Sequence, residues 1–251
     1  MKLPDEQFGM PKCFNPEAKP SLFCPGCGQS IFLKHLGFVI DDLGIQDNVT
    51  LGIDIGCSLL AWNYYDLDII QTHHGRTTSV MVGFKMAREK RVAIAIMGDG
   101  GAYAIGLQSL IHSAFRNNPI TAIVVNNTEY SMTGGQMAPT TFPKEITTTS
   151  PDGKDQKLFG GAFHGPELIR QIANRQSYIA RASVSNPVQL ETILKRAIAN
   201  QLAGNFSFVE VLSICPTNWK TDAFGSFEFL AKMEKIYPVG EIIKDGKGKD
   251  K

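Results

Sequence analysis

An uninterrupted apolar run at residues 92–97 and a second buried-strand pattern at 120–125 bracket a segment from 102 to 115 whose apolar positions recur with helical spacing. A strand that is apolar at every position must be covered on both faces, which is the condition of strands inside a parallel sheet. The same rhythm extends in both directions. Residues 29–43 predict a helix stopped by Gly44, 49–55 a buried strand, 68–71 a short strand and 77–89 a helix. Further on come a helix at 166–174, a strand at 177–182, a helix at 187–202 and a strand at 207–212. The expected fold class is therefore α/β, a mostly parallel sheet with helices on both faces.

Three stretches fall outside that rhythm. Residues 1–20 carry Pro4, Pro11, Pro16 and Pro20 and are expected to form a surface arm able to reach a partner subunit. Residues 21–240 form the domain, and 241–251 a polar tail of mixed charge. Inside the domain, 126–165 shows little periodicity and much Thr, Gly and Pro, the mark of a long functional or disordered loop.

The chain has 251 residues, a formal net charge of +1 and no basic stripe, which argues against nucleic acid as a partner. No stretch approaches the roughly 20 apolar residues that span a bilayer, and no apolar run follows the first basic residue, so a cytoplasmic location is expected. Five cysteines, an odd number without an export signal, point to metal binding or redox chemistry rather than a disulfide scaffold.

Gly98-Asp99-Gly100-Gly101 closes the 92–97 strand just before a helix, and Asn126-Asn127 closes the next strand. Both sets emerge at the carboxyl edge of the sheet, where open α/β folds bind ligands. Magnesium takes hard oxygens and commonly shares them with a phosphate; Asp99, Asn127 and a loop carbonyl near Glu129 can supply three. The glycines admit close backbone approach, and a helix start at Ala102 offers free N–H groups to a diphosphate. Taken alone, the glycine motif is equally readable as a tight turn.

With its second half, the pattern resembles the thiamine-diphosphate enzymes. The loop Asn126-Asn127-Thr128-Glu129-Tyr130-Ser131-Met132-Thr133-Gly134-Gly135-Gln136 is similar to that of 2-oxoacid:ferredoxin oxidoreductases, in their thiamine-diphosphate-binding beta subunit. Cys24-Pro25-Gly26-Cys27-Gly28, Gly56-Cys57-Ser58, His74-Gly75-Arg76 and Cys215-Pro216-Thr217-Asn218-Trp219 extend the resemblance from about Ser21 to the last dozen residues. It implies that Asp99, Asn127 and the Glu129 carbonyl hold Mg2+. Ile55, Gly56, Cys57, Ser58, His74, Gly100, Gly101, Ser131, Met132 and Thr133 would line the cofactor, with His74 the catalytic member of the His73-His74 pair.

The resemblance also implies that Cys24, Cys27, Cys57 and Cys215 hold a 4Fe-4S cluster, while Cys13 matches nothing. From the cysteines alone, structural zinc or a redox dithiol stays open. The implied activity is coenzyme A-dependent oxidative decarboxylation of a 2-oxoacid to acyl-CoA and CO2, with electrons leaving through the cluster to ferredoxin. No glutamate here stands out as the activator of the cofactor, so an alpha subunit is expected to supply it. A ferredoxin-like subunit or soluble ferredoxin would take the electrons, within a hetero-oligomer.

For substrate, the loops around Trp62, Gln136 and Thr147 look most like branched-chain (3-methyl-2-oxobutanoate) members, with Leu60 and Met132 expected to line the side-chain pocket. 2-Oxoglutarate, pyruvate and aromatic 2-oxoacids remain alternatives, as do a non-oxidative thiamine decarboxylase or synthase subunit with structural zinc and an inactive assembly subunit. His112 reads as a core or interface histidine, and Trp62, Tyr64 and Tyr65 as packing or subunit contacts.

Overall fold

The computed structural model describes residues 9–18 and 21–243; the remainder of the expected arm and tail, at 1–8, 19–20 and 244–251, lies outside the described residues. The elements run α1 (Gly28–Leu43), β1 (Val49–Ile53), β2 (Asp68–Gln71), α2 (Thr77–Ala87), β3 (Val92–Gly98), α3 (Leu107–Phe115) and β4 (Thr121–Asn126). They continue as β5 (Glu129–Tyr130), β6 (Gln136–Met137), α4 (Gln156–Phe159), α5 (Gly165–Ile172), β7 (Tyr178–Ser183), α6 (Pro187–Leu202) and β8 (Ser207–Leu212). Last come α7 (Pro216–Trp219), α8 (Ala223–Ile236) and β9 (Gly240–Glu241).

Seven strands form the main sheet in the order β2-β1-β3-β4-β8-β7-β9, parallel except for β9. Residues 92–97 of β3 are fully buried, as the unbroken apolar run requires. Helices α1, α6 and α8 cover one face, where Phe32, Leu33, Leu36 and Ile40 of α1 are wholly enclosed. Burial of such a side chain is worth about 1.5–3 kcal/mol. On the opposite face α2 packs on β3 and α5 on β7 and β8, with α3 between the two helices, over the alternate residues of β3 and β4. The expected doubly covered α/β sheet is what the chain forms.

Helix ends follow local chemistry. Gly44 closes α1 in the left-handed region at φ 61°, and Asn186 caps α6 by accepting from the Gln189 N–H at 3.1 Å. The helix expected from Ala102 instead begins with a π-helical turn, Gly101–Ile105, before α3. The strand expected through residue 55 ends at Ile53, because Gly56, at φ 118°, turns the chain into a 3-10 segment.

Four regions differ further from expectation. The arm is not free along its described part: Cys13 and Phe14 are buried, and Phe14 bridges Tyr65. The sheet runs past the expected tail boundary, since Glu241 pairs with Ala180 and the Ile242 N–H donates to the Ile179 carbonyl. Residues 126–165 are not structureless but are wound around buried Thr140, Thr141, Glu145 and Lys154; the Lys154 ammonium donates to the carbonyls of Thr141 at 2.6 Å and Gly161 at 2.9 Å. His112 is exposed rather than a core histidine. Among the described residues no helix is long and apolar enough to cross a membrane.

Candidate active site

From β1 the chain passes outward to β2, then returns to lay β3 and β4 on the other side of β1. The carboxyl ends of β1 and β3 thus flank a reversal of strand order, the place where sheets of this kind leave a crevice. A cavity of about 240 Å3 opens there. Ile55, Gly56, Cys57, His74, Gly100, Gly101, Ser131, Met132 and Thr133 line it, together with Asp99, Asn127 and Glu129. Ser58 and Leu60 do not: Ser58 is buried, and half-buried Leu60 packs against the apolar core.

Gly98 is in register with Val125, so Asp99 and Asn126-Asn127 leave neighbouring strands together. Asp99 is buried; its Oδ1 accepts from the Gly100 N–H at 2.8 Å and its Oδ2 from the Thr140 hydroxyl. Burial pushes its carboxyl up to about 7 against the pull of these two bonds. Glu129 is likewise raised to about 7, first by burial and then by the Asp99 charge, and burial raises Glu145 to about 8. Among the described residues neither Asp99 nor Glu129 forms an ion pair.

Asn127 is fixed from both sides. Thr128, a β-branched residue at φ 66°, holds the strained left-handed turn after it, at a cost of order 1–3 kcal/mol. The Trp219 indole N–H donates to the Asn127 carbonyl at 3.2 Å, and Asn218 Nδ2 donates to the Ser131 carbonyl at 2.9 Å. Close approach explains the glycines: a Cβ on Gly100 would stand 2.2 Å from the Tyr130 ring, and one on Gly101 1.9 Å from Asp54 Oδ2. These observations fit a magnesium diphosphate: paired hard oxygens, a buried acid without its own cation, and bare backbone at the mouth of the π-helical turn.

His74 places Nδ1 3.2 Å from the Ile55 carbonyl and 3.4 Å from Asp54 Oδ2. Asp54 was not picked out from the sequence, although an acid directly after an all-buried strand at the sheet edge is a readable signal. Its Oδ1 accepts from the Gly75 N–H at 2.8 Å, and its buried Oδ2 has no hydrogen-bond partner. Burial raises its carboxyl, while Gly75 and His74 oppose the rise. Gln29, Tyr130 and Thr140 were also missed; Gln29 and Thr140 join the site only through tertiary contact, and Tyr130 stands between two residues already assigned to it.

Cys24, Cys27, Cys57 and Cys215 come together from three parts of the chain. The Cys27 N–H closes a turn onto the Cys24 carbonyl at 3.0 Å, and Cys215 directly precedes α7. Burial raises Cys27 to about 11 and Cys57 to about 12, and the other cysteines of the group add to both shifts. Thiols this close repel one another as thiolates, and a bound metal reverses that by taking the anions as ligands. Their soft donor set fits an iron-sulfur cluster, although no three His, Cys, Asp or Glu side chains among the described residues close on one point as single-ion ligands do. Cys13 lies elsewhere, its Sγ 3.6 Å from the Gly37 carbonyl and raised to about 12 by burial and Asp41, an inert packing thiol.

Comparison with known proteins meets the site at this point. Residues 54–211 match the thiamine pyrophosphate enzyme family, C-terminal TPP-binding domain. A ketoisovalerate oxidoreductase subunit VorA from Methanothermobacter thermautotrophicus is 40% identical over 86% of this chain, which spans only 46% of that relative's length. A 2-oxoglutarate synthase subunit KorB from the same organism is 38% identical, covering 80% of this chain and 68% of its own. A solved 2-oxoglutarate:ferredoxin oxidoreductase from Magnetococcus marinus, with 2-oxoglutarate, coenzyme A and succinyl-CoA bound, matches with a TM-score of 0.79 over 96% of this chain and 87% of that one. At 24% identity that likeness bears on the fold alone.

Proposed function

The chain belongs to the thiamine pyrophosphate enzymes, among the thiamine-binding subunits of 2-oxoacid oxidoreductases, and on that premise we propose that it works in the coenzyme A-dependent oxidative decarboxylation of a 2-oxoacid. One observation carries the reading: Cys57, a member of the four-cysteine group, lines the same cavity as Asp99 and Asn127. A diphosphate site and an electron-accepting site then share a wall, and electrons have a short way to go.

Asp99, Asn127 and the Glu129 carbonyl would hold Mg2+, with Gly100 and Gly101 presenting backbone to the diphosphate. Bound thiamine diphosphate supplies the carbon nucleophile for the 2-oxo group and the sink for electrons left as CO2 departs. Cys24, Cys27, Cys57 and Cys215 would hold a 4Fe-4S cluster, and a ferredoxin or ferredoxin-like subunit takes the electrons on. His74 stands at the cavity as the group able to hold a proton beside the substrate. An alpha subunit provides the activating glutamate, which makes the working enzyme a hetero-oligomer in the cytoplasm.

The substrate reading is branched-chain, 3-methyl-2-oxobutanoate first. It is supported by the apolar Met132 on the cavity wall and by the likeness to a ketoisovalerate oxidoreductase subunit. Discrimination by one methylene is worth only about 1–3 kcal/mol, so the shorter and longer relatives of this acid are slower rather than excluded. The test is the anaerobically co-purified complex with coenzyme A, a viologen dye and a panel of 2-oxoacids. Branched-chain acids are expected to give the highest kcat/KM, with about four irons per chain. A preference for 2-oxoglutarate or pyruvate overturns the substrate; stoichiometric zinc without iron overturns the cluster and leaves a non-oxidative thiamine enzyme.

A further inference from the structure

We propose that Asp54 is a positioning residue that sets the tautomer of His74, so that Nδ1 carries the proton and Nε2 is the ring nitrogen that works in the cavity. The ring's Nδ1 faces two oxygens, the Ile55 carbonyl at 3.2 Å and Asp54 Oδ2 at 3.4 Å. A carbonyl only accepts, so Nδ1 must donate. That leaves Nε2 with the lone pair on a ring that lines the cavity.

Asp54 is built to hold this arrangement. It follows β1 directly, its own N–H donates to the Ile96 carbonyl of β3 at 3.0 Å, and its side chain is wholly buried. Oδ1 is committed to the Gly75 N–H, which fixes the loop that carries His74. Oδ2 has no hydrogen-bond partner, and a buried carboxylate oxygen left so is costly unless a nearby group uses its charge. The ionisable group facing it is His74, with Nδ1 at 3.4 Å. Gly101 keeps the two together: a Cβ there would stand 1.9 Å from Asp54 Oδ2 and 3.3 Å from His74 Cε1. Only a glycine leaves the carboxylate and the ring in contact beneath the π-helical turn.

A buried carboxylate behind Nδ1 holds the ring in that tautomer and orientation through a proton transfer at Nε2, without accepting that proton itself. His74 then takes a proton at Nε2 from a reacting oxygen and returns it to one, while the Nδ1 proton stays in place. The catalytic use of Nε2 rests on the functional reading above; the tautomer does not.

The test uses the full chain with its histidines labelled with 15N, where long-range 1H–15N correlations report the protonation of each ring nitrogen and His74→Gln identifies the His74 signals. Wild type is expected to show the Nδ1–H form. In Asp54→Asn the amide oxygen keeps the Gly75 bond and an N–H donor faces Nδ1, so the population moves toward Nε2–H. In the reconstituted complex the same variant is expected to lose at least about tenfold in kcat while retaining thiamine diphosphate. An Nε2–H ring in the wild type overturns the proposal whether or not the variant folds, and so does an unmoved tautomer in Asp54→Asn. A moved tautomer with unchanged turnover overturns the catalytic use. A moved tautomer in a chain that never binds thiamine diphosphate supports the positioning role and refutes the functional reading instead.

Discussion

Two groups of buried acids stand behind this sheet, and only one of them comes with its own cation. In the first, Arg181 of β7 is completely enclosed, with its guanidinium on buried Glu210 of β8 at 2.5 Å and on half-exposed Glu167 of α5 at 2.7 and 2.8 Å. Tyr103 also donates to Glu210, at 2.6 Å. In the second, Asp99 and Glu129 crowd the carboxyl edge with both carboxyls raised: Asp99 is held only by the Gly100 N–H and the Thr140 hydroxyl, Glu129 Oε2 has no hydrogen-bond partner, and the buried Lys154 ammonium acts on Glu145 instead. Burying charge is costly unless it is compensated. Where the chain compensates it, the result is scaffold; where it does not, the compensation is left to something that binds. The contrast separates site from structure more sharply than burial or polarity alone.

Three variants probe that contrast. The largest effect is expected for Asp99→Ala, which removes a metal oxygen and should weaken retention of magnesium and thiamine diphosphate by about a hundredfold or more, measured by equilibrium dialysis, with a folded chain by circular dichroism. Retention at the wild-type level would place the site elsewhere. Arg181→Met should instead cost about 3–5 kcal/mol in denaturant unfolding, because Glu210 stays buried and unpaired, and adding Glu210→Leu should recover much of the loss. If Arg181→Met is neutral, the two acid groups do not differ as described. Thr140→Val, which takes one hydrogen bond from Asp99, should lower magnesium affinity by about tenfold, and Thr140→Ser should retain most of it; a loss in Thr140→Ser with none in Thr140→Val would mean that Thr140 acts through packing alone.

The sheet was legible because its evidence is local: an unbroken apolar run in β3, apolar-rich strands beside it and helices with a single apolar stripe. Asp99 and Asn127 were legible for the same reason, standing where strands end. The organisation of residues 126–165 was not, since Thr140 meets Asp99, and Lys154 the carbonyls of Thr141 and Gly161, only after the chain has folded back. Helix α8 escaped because Phe224 and Phe227 are exposed and blur its apolar stripe. The π-helical turn differs from an ordinary helix by one inserted residue, too little to disturb the hydrophobic spacing. Asp54 was hidden by its neighbours: nothing in Ile53-Asp54-Ile55 announces that His74 will arrive above it.

The bond from the Trp219 indole to the Asn127 carbonyl gives the molecule an optical gauge of its own. The chain has two tryptophans. Trp62 is half in solvent, whereas Trp219 is stacked on Phe229 with ring centroids 4.0 Å apart and holds the backbone of a proposed magnesium ligand. Whatever settles on Asn127 pulls on that carbonyl and changes the emission of the half-buried, stacked fluorophore, while the exposed one serves as the internal standard.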